Sequence, residues 1–265
     1  MSSSSPPGSA VRVDRQGRVA TVWVDRPPLN IFDLETLRQL DRAIEELAGA
    51  GGDGLQLVVL RGGGGRAFSA GVAIEDHVGD RIPLMLEVFH GALRRLFALP
   101  IPTVAAVDGH CLGGGMELAA VCDFVVATER SRFGQPEIKL ACFPPVAAAL
   151  YPSLIGPGRA FDLLLTGRTL SCRDAEAWGF VARRFADGGL DEGLDLLAAE
   201  LAALSTPALR LTKKAIRLGQ SQAPLLDEAL AASEQIYLEE LAQTADMEEG
   251  VVAFLEKRPP AWTHR

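Results

Sequence analysis

Residues 103–118 read TVAAVDGHCLGGGMEL and contain the first informative turn of the sequence. Thr103 to Val107 form a β-rich run, and the glycines at 113–115 precede a segment with helical character. Such glycines leave backbone N–H groups bare, and a helix N-terminus adds a partial positive charge. The turn can therefore bind a phosphate or stabilise an oxyanion, or it can serve tight packing alone. No GK[ST] follows this turn, and the turn itself does not match GxGxxG, which argues against Walker A and Rossmann sites here.

A second glycine-rich segment lies upstream, where residues 62–71 read GGGGRAFSAG after the buried-strand pattern at 55–60. Two such loops can direct two N–H donors at one oxygen. A thioester carbonyl that becomes an enolate requires a pair of this kind. The four consecutive glycines are equally consistent with a flexible surface loop.

Two carboxylates accompany these loops. Glu117 falls in the first turn of the predicted helix, and Glu137 follows 20 residues later in the sequence GQPEI. A carboxylate near a buried helix start is costly unless it is paired or functional. Two carboxylates that converge on one water can act as general base and general acid. Taken singly, Glu117 is also explained as a helix-dipole partner and Glu137 as a surface residue.

The charge of the chain limits its partners. Its 265 residues include 26 Lys+Arg and 34 Asp+Glu, for a net charge of −8. This excess of acidic residues argues against a nucleic-acid or membrane partner. A few local cations can still bind an anionic small molecule. No run approaches the roughly 18 apolar residues of a membrane span, and no secretory pattern opens the sequence. We therefore expect a cytoplasmic protein.

Cysteine and histidine give no metal pattern. The four histidines are scattered, without HxH or HExxH spacing, so we predict no metal site. The sequence contains no GxSxG, the nucleophile pattern of α/β-hydrolases. Asp76 and His77 follow the first glycine loop, where they either line a pocket or lie on a solvated surface. The cysteines have no CxxC spacing and are predicted to be reduced, mostly buried thiols: Cys111, Cys122, Cys142 and Cys172.

The order of elements predicts an α/β core followed by a helical C-terminal third. We expect a disordered tail over 1–10, a core over 11–190 and a helical region over 191–265. The predicted strands are 11–14, 19–24, 55–60, 103–107 and 124–127, with an ordered loop or strand edge at 133–138. The first predicted helix begins after Asp33. The other predicted helices cover 83–99, 160–165, 171–178, 194–204, 207–218, 224–241 and 246–257.

In combination, these motifs resemble the crotonase (enoyl-CoA hydratase/isomerase) superfamily over residues 11–258. The resemblance is carried by RAFSAG at 66–71, IPTVAAVDG at 101–109, LGGGMEL at 112–118, CD at 122–123 and FGQPEI at 133–138. It implies a spiral of ββα units with a C-terminal helical region that forms trimers or hexamers. It also implies an acyl-CoA substrate, with coenzyme A entering only as part of that substrate and no further cofactor.

The resemblance assigns roles to four residues. Ala70 and Gly114 occupy the positions of the two backbone N–H groups that stabilise a thioester enolate. In members that hydrate enoyl-CoA, the residue at Glu117 helps to deprotonate water and the residue at Glu137 exchanges a proton with the substrate carbon. Because many isomerases, hydrolases and decarboxylases of the superfamily lack one of the two, the presence of both favours hydration.

The sequence departs from the family pattern at two positions. Ala73 stands where the first loop commonly has Asp, which predicts altered loop anchoring. Residues 143–149 read FPPVAAA where glycines are common, which predicts a stiffer and narrower wall. Together with PPLNI at 27–31, EDH at 75–77 and FHG at 89–91, this segment is similar to cyclohexa-1,5-diene-1-carbonyl-CoA hydratases. Such a wall would suit a flat cyclic acyl group.

A set of substrate-binding residues also follows from the resemblance. Most belong to the two loops and the wall, whereas Arg26 and the C-terminal pair are candidates for the phosphates of coenzyme A. The set is Arg26, Ala67, Ser69, Gly71, Ala73, Ile74, His77, Phe89, Gly113, Pro136, Pro144, Pro145, Phe254 and Lys257.

Two other functions remain open from the sequence. The same fold can carry an enoyl-CoA isomerase, an acyl-CoA hydrolase or a decarboxylase, in which Asp76 or His77 would contribute. A non-catalytic acyl-CoA-binding partner is the other alternative, which the two retained glutamates and two glycine loops disfavour.

Overall fold

The structure of the protein is a computed structural model that describes residues 9–49, 54–219 and 222–263. Within these residues the strands are β1 (Val11–Gln16), β2 (Val19–Val24), β3 (Leu57–Gly62), β4 (Ala67–Ser69), β5 (Thr103–Val107), β6 (His110–Leu112), β7 (Phe124–Thr128), β8 (Arg132–Gly134), β9 (Thr169–Ser171) and β10 (Arg183–Phe185). The helices are α1 (Leu34–Ala48), α2 (Arg81–Ala98), α3 (Gly114–Ala120), α4 (Pro145–Leu154), α5 (Pro157–Thr166), α6 (Cys172–Ala177), α7 (Leu190–Ala202), α8 (Thr206–Gly219), α9 (Gln222–Gln235) and α10 (Ala245–Leu255). Short 3₁₀ turns cover Ile74–Asp76, Pro136–Leu140 and Leu241–Gln243, and Ile236–Glu240 form a π-helical turn.

In the described part of the chain, the strands form two sheets. The larger sheet has the order β1-β2-β3-β5-β7-β10, parallel except for the β1–β2 hairpin. The smaller sheet has the order β4-β6-β8-β9, in which β4, β6 and β8 are parallel. The buried, β-branched runs of β3 and β5 suit the interior of a parallel sheet that is covered on both faces.

A strand-strand-helix unit recurs along the chain. In each unit one strand joins the larger sheet, the next joins the smaller sheet, and a helix follows: β3-β4-α2, β5-β6-α3 and β7-β8-α4. Each return to the larger sheet adds a parallel neighbour, so the chain winds in one direction. The three parallel strands of the smaller sheet consequently end at one edge.

Sequence analysis locates most elements correctly. The helices predicted at 194–204, 207–218 and 246–257 are confirmed to within about four residues at their ends. The segment predicted as one helix over 224–241 instead changes from α to π geometry after Gln235. α4 is not predicted, yet Pro145 fixes a helical φ at its first turn and Val146 with three alanines continues it.

The predicted N-terminal tail is only partly testable. Residues 1–8 lie outside the described residues. Ser9 and Ala10 are ordered, because the Ser9 Oγ and the Ala10 N–H both donate to Gln39 Oε1, each at 2.9 Å. The tail over 1–10 stays a prediction. The boundary predicted at residue 190 stays a prediction; α7, which begins there, packs Leu190, Leu194 and Leu197 on the larger sheet.

Candidate active site

The candidate site lies at the edge where the three parallel strands of the smaller sheet end. β4 leads into Ala70–Val72, β6 leads into the glycine turn, and β8 leads into the loop that carries Glu137. Residue Leu112 pairs with Gly134, so the chain leaves β6 and β8 at the same level. This register brings together motifs that are about 20 residues apart in the sequence.

The glycine turn offers one unpaired backbone donor. Gly113 has φ +52° and caps α3, and a Cβ built there would lie 2.5 Å from Glu137 Oε1. Gly114 is the first residue of α3, where an N–H has no partner within the helix. Among the described residues this N–H has no acceptor. Gly71 approaches it so closely that a Cβ there would lie 3.2 Å from the Gly114 nitrogen.

The structure corrects the second donor. The N–H of Ala70 donates to the carbonyl of Leu29 at 2.9 Å, so this donor is occupied within the protein. Val72 instead pairs with Phe32 in a parallel bridge. The hydrogen bonds of this bridge join Phe32 to Gly71 and Ala73, the residues on either side of Val72. The Val72 N–H therefore points away from that bridge and has no acceptor in the described part of the chain. The free pair of donors is Val72 and Gly114.

Glu117 is buried on the first turn of α3. Its Oε1 accepts a hydrogen bond of 2.9 Å from the Ala147 N–H on α4. Burial raises the pKa of Glu117 to about 7, although the hydrogen bonds from Ala147 and Val146 oppose this rise. The carboxyl is thus poised to exchange a proton near neutral pH.

Glu137 lies in the 3₁₀ turn beside Gly113. Burial, followed by repulsion from Glu117, raises its pKa to about 8. Glu137 is partly exposed because it borders the cavity. The Gln135 amide lies between Tyr151 and Glu137: with its oxygen turned to accept from the Tyr151 hydroxyl at 2.7 Å, its nitrogen can donate to Glu137 Oε2 at 3.2 Å.

The two carboxyls and both donor loops line one cavity. Twelve residues that sequence analysis placed in the site contribute to its wall: Ala70, Gly71, Ile74, His77, Phe89, Gly113, Gly114, Glu117, Pro136, Glu137, Pro144 and Pro145. The structure adds residues that sequence analysis missed: Val72, Met85, Leu86, His90, Leu140, Cys142, Phe143, Tyr237 and Val251. Leu86 and His90 are four residues apart and lie beside Met85 and Phe89 on the predicted helix. This spacing could have indicated that Leu86 and His90 also line the cavity.

Six predicted residues lie outside the cavity wall, three of them with structural roles close to it. Ser69 Oγ donates to the Asn30 carbonyl at 2.7 Å and accepts from the Gly71 N–H. Ala67 and Ala73 are buried, and their carbonyls accept from Asn30 and His77 respectively. These three residues support the loop rather than lining the cavity.

The other three are the predicted phosphate-binding residues. Arg26 is held by Asp33, with 2.8 Å between its Nη2 and Asp33 Oδ2, and it donates to the Ile31 carbonyl. Phe254 and Lys257 are exposed at the end of α10. None of the three borders the cavity of this single chain.

Asp76 and His77 do not form an acid–base pair toward the cavity. Asp76 is buried, and 2.6 Å separates its Oδ1 from Arg81 Nη2. His77 Nδ1 lies 3.0 Å from the Ala73 carbonyl, and burial lowers the pKa of its imidazole. His77 is therefore a neutral wall residue, with Nδ1 as the hydrogen-bond donor.

The predictions on metals, thiols and membranes can be set against the described residues. There, no three His, Cys, Asp or Glu side chains are arranged to hold a metal ion. All four cysteines are free and buried, as predicted. Across 9–49, 54–219 and 222–263, no helix combines the length and apolarity needed to cross a bilayer.

Comparison with known proteins identifies relatives along the whole chain. The sequence model described as enoyl-CoA hydratase/isomerase matches residues 14–265. The chain is 34% identical to cyclohexa-1,5-dienecarbonyl-CoA hydratase of Thauera aromatica over 265 residues, which is 100% of both chains. It is 36% identical to 2,3-dehydroadipyl-CoA hydratase of Escherichia coli (strain K12), covering 97% of this chain and 100% of the relative.

A solved structure resembles the protein closely. The enoyl-CoA hydratase of Mycobacterium avium subsp. paratuberculosis K-10 superposes with a TM-score of 0.85 at 28% sequence identity. The match covers 97% of this chain and 100% of that one. The fold predicted from the resemblance, an α/β core of the crotonase type with C-terminal helices, is thereby confirmed.

Proposed function

Because the chain belongs to the enoyl-CoA hydratase/isomerase family, we propose that it adds water to an enoyl-CoA thioester between Glu117 and Glu137. The protein is an enoyl-CoA hydratase, a hydro-lyase that takes an acyl-CoA substrate, as its full-length relatives are. The single observation that carries the mechanism is the cavity itself. It brings two carboxyls with raised pKa values beside two unpaired backbone donors.

The proposed reaction balances with these groups alone. Glu117 takes a proton from water as the water oxygen bonds to the β carbon of the enoyl group. The π electrons move onto the thioester oxygen, where the Val72 and Gly114 N–H groups hold the resulting enolate. The enolate then re-forms the carbonyl and takes a proton at the α carbon from Glu137. In a conjugated dienoyl-CoA, water can add at the vinylogous carbon instead.

The difference between the two carboxyls supports this division of roles. Glu117 has the lower pKa, about 7, because two backbone hydrogen bonds favour its charged form. Glu137 has the higher pKa, about 8, because the Glu117 charge adds to the effect of burial. Two interacting carboxyls lose their protons in steps that belong to the pair, and near neutral pH the pair holds one proton. The backbone hydrogen bonds that favour the charged form of Glu117 support it as the base, with Glu137 as the acid.

We expect a bell-shaped pH dependence of kcat/KM with its maximum between about 7 and 8. Below this window Glu117 is protonated and cannot accept a proton from water. Above it Glu137 is ionised and cannot donate. Initial rates of loss of enoyl thioester absorbance from about pH 6 to 9 test this. Acyl-CoA affinity measured over the same range separates chemistry from binding, and a flat rate profile would contradict the assignment.

The reaction class is tested by product mass. An acyl-CoA panel of linear and cyclic members should gain the mass of one water. An unchanged mass would indicate isomerisation, free coenzyme A hydrolysis, and loss of CO2 decarboxylation. If panel members bind without turnover, the non-catalytic alternative holds instead.

A cyclic dienoyl thioester is a candidate substrate. The relative from Thauera aromatica is named for such a substrate, and it aligns with this chain from end to end. The wall segment supports the same choice, because Pro144 and Pro145 border the cavity and start α4 with restricted φ angles. Such a wall adapts less readily to a long flexible chain.

Coenzyme A is proposed to bind with help from the C-terminal helix of a neighbouring subunit, through Phe254 and Lys257. Lys257 is exposed and has no ion-pair partner among the described residues. Arg26 is a weaker candidate because Asp33 already holds it. Hydration as written requires no cofactor beyond the coenzyme A of the substrate.

We expect coenzyme A affinity to fall as salt rises, because exposed cations on phosphates are screened. Lys257→Ala should weaken binding about threefold, whereas Lys214→Ala, an exposed lysine on α8, should not. Isothermal titration at low and high salt measures both effects. A salt-independent affinity, or equal values for the two variants, would count against Lys257.

A homotrimer or homohexamer is also proposed, from the apolar side chains that the surface exposes. The C-terminal helices and α5 expose large apolar side chains, including Phe161, Leu165, Leu211 and Ile216. Surfaces of this kind are typical of subunit contacts. Native mass spectrometry distinguishes the two assemblies.

A cytoplasmic location is proposed from the four free thiols, which suit a reducing compartment.

A further inference from the structure

His90 presents an unused nitrogen at the cavity wall. The side chain is fully buried on α2, and 2.6 Å separates its Nδ1 from Glu234 Oε1 on α9. A carboxylate only accepts, so Nδ1 carries the proton. Burial lowers the pKa of the imidazole, which leaves the ring neutral and Nε2 with a free lone pair. Nε2 is buried and has no hydrogen-bond partner among the side chains and backbone that the structure describes.

Glu234 fixes which edge of the ring meets the cavity. Glu234 does not line the cavity, whereas His90 does. The Nδ1 edge is turned toward Glu234, so the opposite edge, with Nε2, faces away from Glu234. Arg94 makes two further bonds of 3.1 Å to the Glu234 carboxylate and so holds this arrangement from outside.

Tyr237 provides a second unused polar atom in the same cavity. Its side chain is 1% exposed, and among the described residues its hydroxyl has no nitrogen or oxygen partner and meets only the sulfur of Cys142. The neighbouring Cys142 thiol is a weak hydrogen-bonding group and donates to the Leu140 carbonyl. Tyr237 lies in the π-helical turn Ile236–Glu240, a geometry that is frequent at functional sites.

The two atoms belong to one wall. Tyr237 follows Glu234 by three residues, Glu234 contacts His90, and both His90 and Tyr237 line the cavity. Met85 and Leu86 of α2 pack in the same apolar cluster as Tyr237. The wall of the cavity also includes the apolar side chains of Met85, Leu86, Leu140, Phe143 and Val251. A purely hydrocarbon acyl group would leave both atoms unmatched.

The chemistry of the pair selects its ligand. Neutral His90 Nε2 accepts a hydrogen bond and the Tyr237 hydroxyl donates one. A hydroxyl group satisfies both, because it donates and accepts at once. A carboxylate cannot donate to Nε2, and it would face the negative charge of Glu234 directly behind the ring.

We propose that His90 and Tyr237 form a polar subsite for a hydroxyl group on the acyl moiety, so that the preferred substrates are hydroxylated enoyl-CoA thioesters. This proposal rests on the hydratase function proposed above, since it concerns the acyl end of the same cavity. His90 and Tyr237 determine specificity and take no part in the transfer of protons.

The test compares ring-hydroxylated and ring-methylated cyclohexenoyl-CoA, which differ little in size. Wild-type enzyme should favour the hydroxylated thioester in kcat/KM by about tenfold. Tyr237→Phe, which removes one oxygen, should reduce this preference to about twofold or less. His90→Phe should do the same, and Arg94 continues to hold Glu234 in that variant. Met85→Leu changes the same wall without a hydrogen bond, so it should leave the preference unchanged.

Saturated versions of the two thioesters separate this proposal from the hydratase function. Calorimetry should give tighter binding of the hydroxylated analogue to the wild type, and Tyr237→Phe should remove the difference. Equal binding of both analogues to the wild type, or a preference that survives Tyr237→Phe, would overturn the subsite. Failure to hydrate any enoyl-CoA while the binding difference persists would instead overturn the proposed mechanism and leave the subsite supported.

Discussion

Glu117→Gln and Glu137→Gln are each expected to lower kcat by at least about 100-fold, because each removes one proton-transfer group from a reaction that needs both. Glutamine keeps the size and most hydrogen bonds of the side chain, so acyl-CoA affinity should stay near the wild-type value. Loss of enoyl thioester absorbance measures the rate. Glu75→Gln, an exposed glutamate next to the cavity loop, is the matched control and should retain full activity.

The two variants should also differ from each other. Exchange of the α hydrogen of a saturated acyl-CoA with deuterated water requires the group that serves the α carbon, which we assign to Glu137. Glu117→Gln should therefore retain this exchange in part, whereas Glu137→Gln should lose it. The opposite pattern would reverse the two roles, and wild-type turnover in either variant would contradict the mechanism.

Gly114→Pro is expected to lower kcat by about 100- to 1,000-fold, because proline has no N–H to hold the enolate oxygen. The first residue of a helix is where proline is tolerated best, so α3 should still form. Gly114→Ala is the matched control. It retains the N–H, although its Cβ would lie 3.0 Å from Phe89 Cζ and Val72 Cγ2.

The difference between these two variants isolates the hydrogen bond. Alanine should cost far less activity than proline, since only crowding separates it from glycine. Thermal unfolding and coenzyme A binding verify that both variants are folded. Equal activities in the two variants would mean that the Gly114 N–H does not stabilise the transition state.

Sequence analysis could predict the pair of glutamates but not how they meet. The motifs at 112–118 and 133–138 indicate a strand end followed by a functional turn, a local property of each segment. Their proximity depends on the parallel pairing of β6 with β8, in which Cys111 faces Phe133. That register comes from tertiary packing, and no spacing in the sequence encodes it.

Which backbone N–H of the first loop is unpaired is even harder to predict from the sequence. Ala70 and Val72 are two residues apart, and both have backbone N–H groups. A hydrogen bond to Leu29, 41 positions upstream of Ala70, decides which one is available. In the same way, Tyr237 enters the cavity because a helix in the last quarter of the chain folds back onto α2. Neither contact has a local signal.

The raised pKa values of Glu117 and Glu137 also make the stability of the fold depend on pH between the ordinary carboxyl range and about pH 8. In an unfolded chain both carboxyls ionise near their ordinary pKa of 4.5, whereas in the native protein they hold protons up to about 7 and 8. The native state therefore binds more protons than the unfolded one across this interval, and its free energy of unfolding falls as pH rises through it. Above about pH 8 this loss is complete. Raising the pH ionises the catalytic base, and it also lowers the free energy of unfolding of the fold that positions this base. Activation of the base and stability of the fold therefore change in opposite directions with pH.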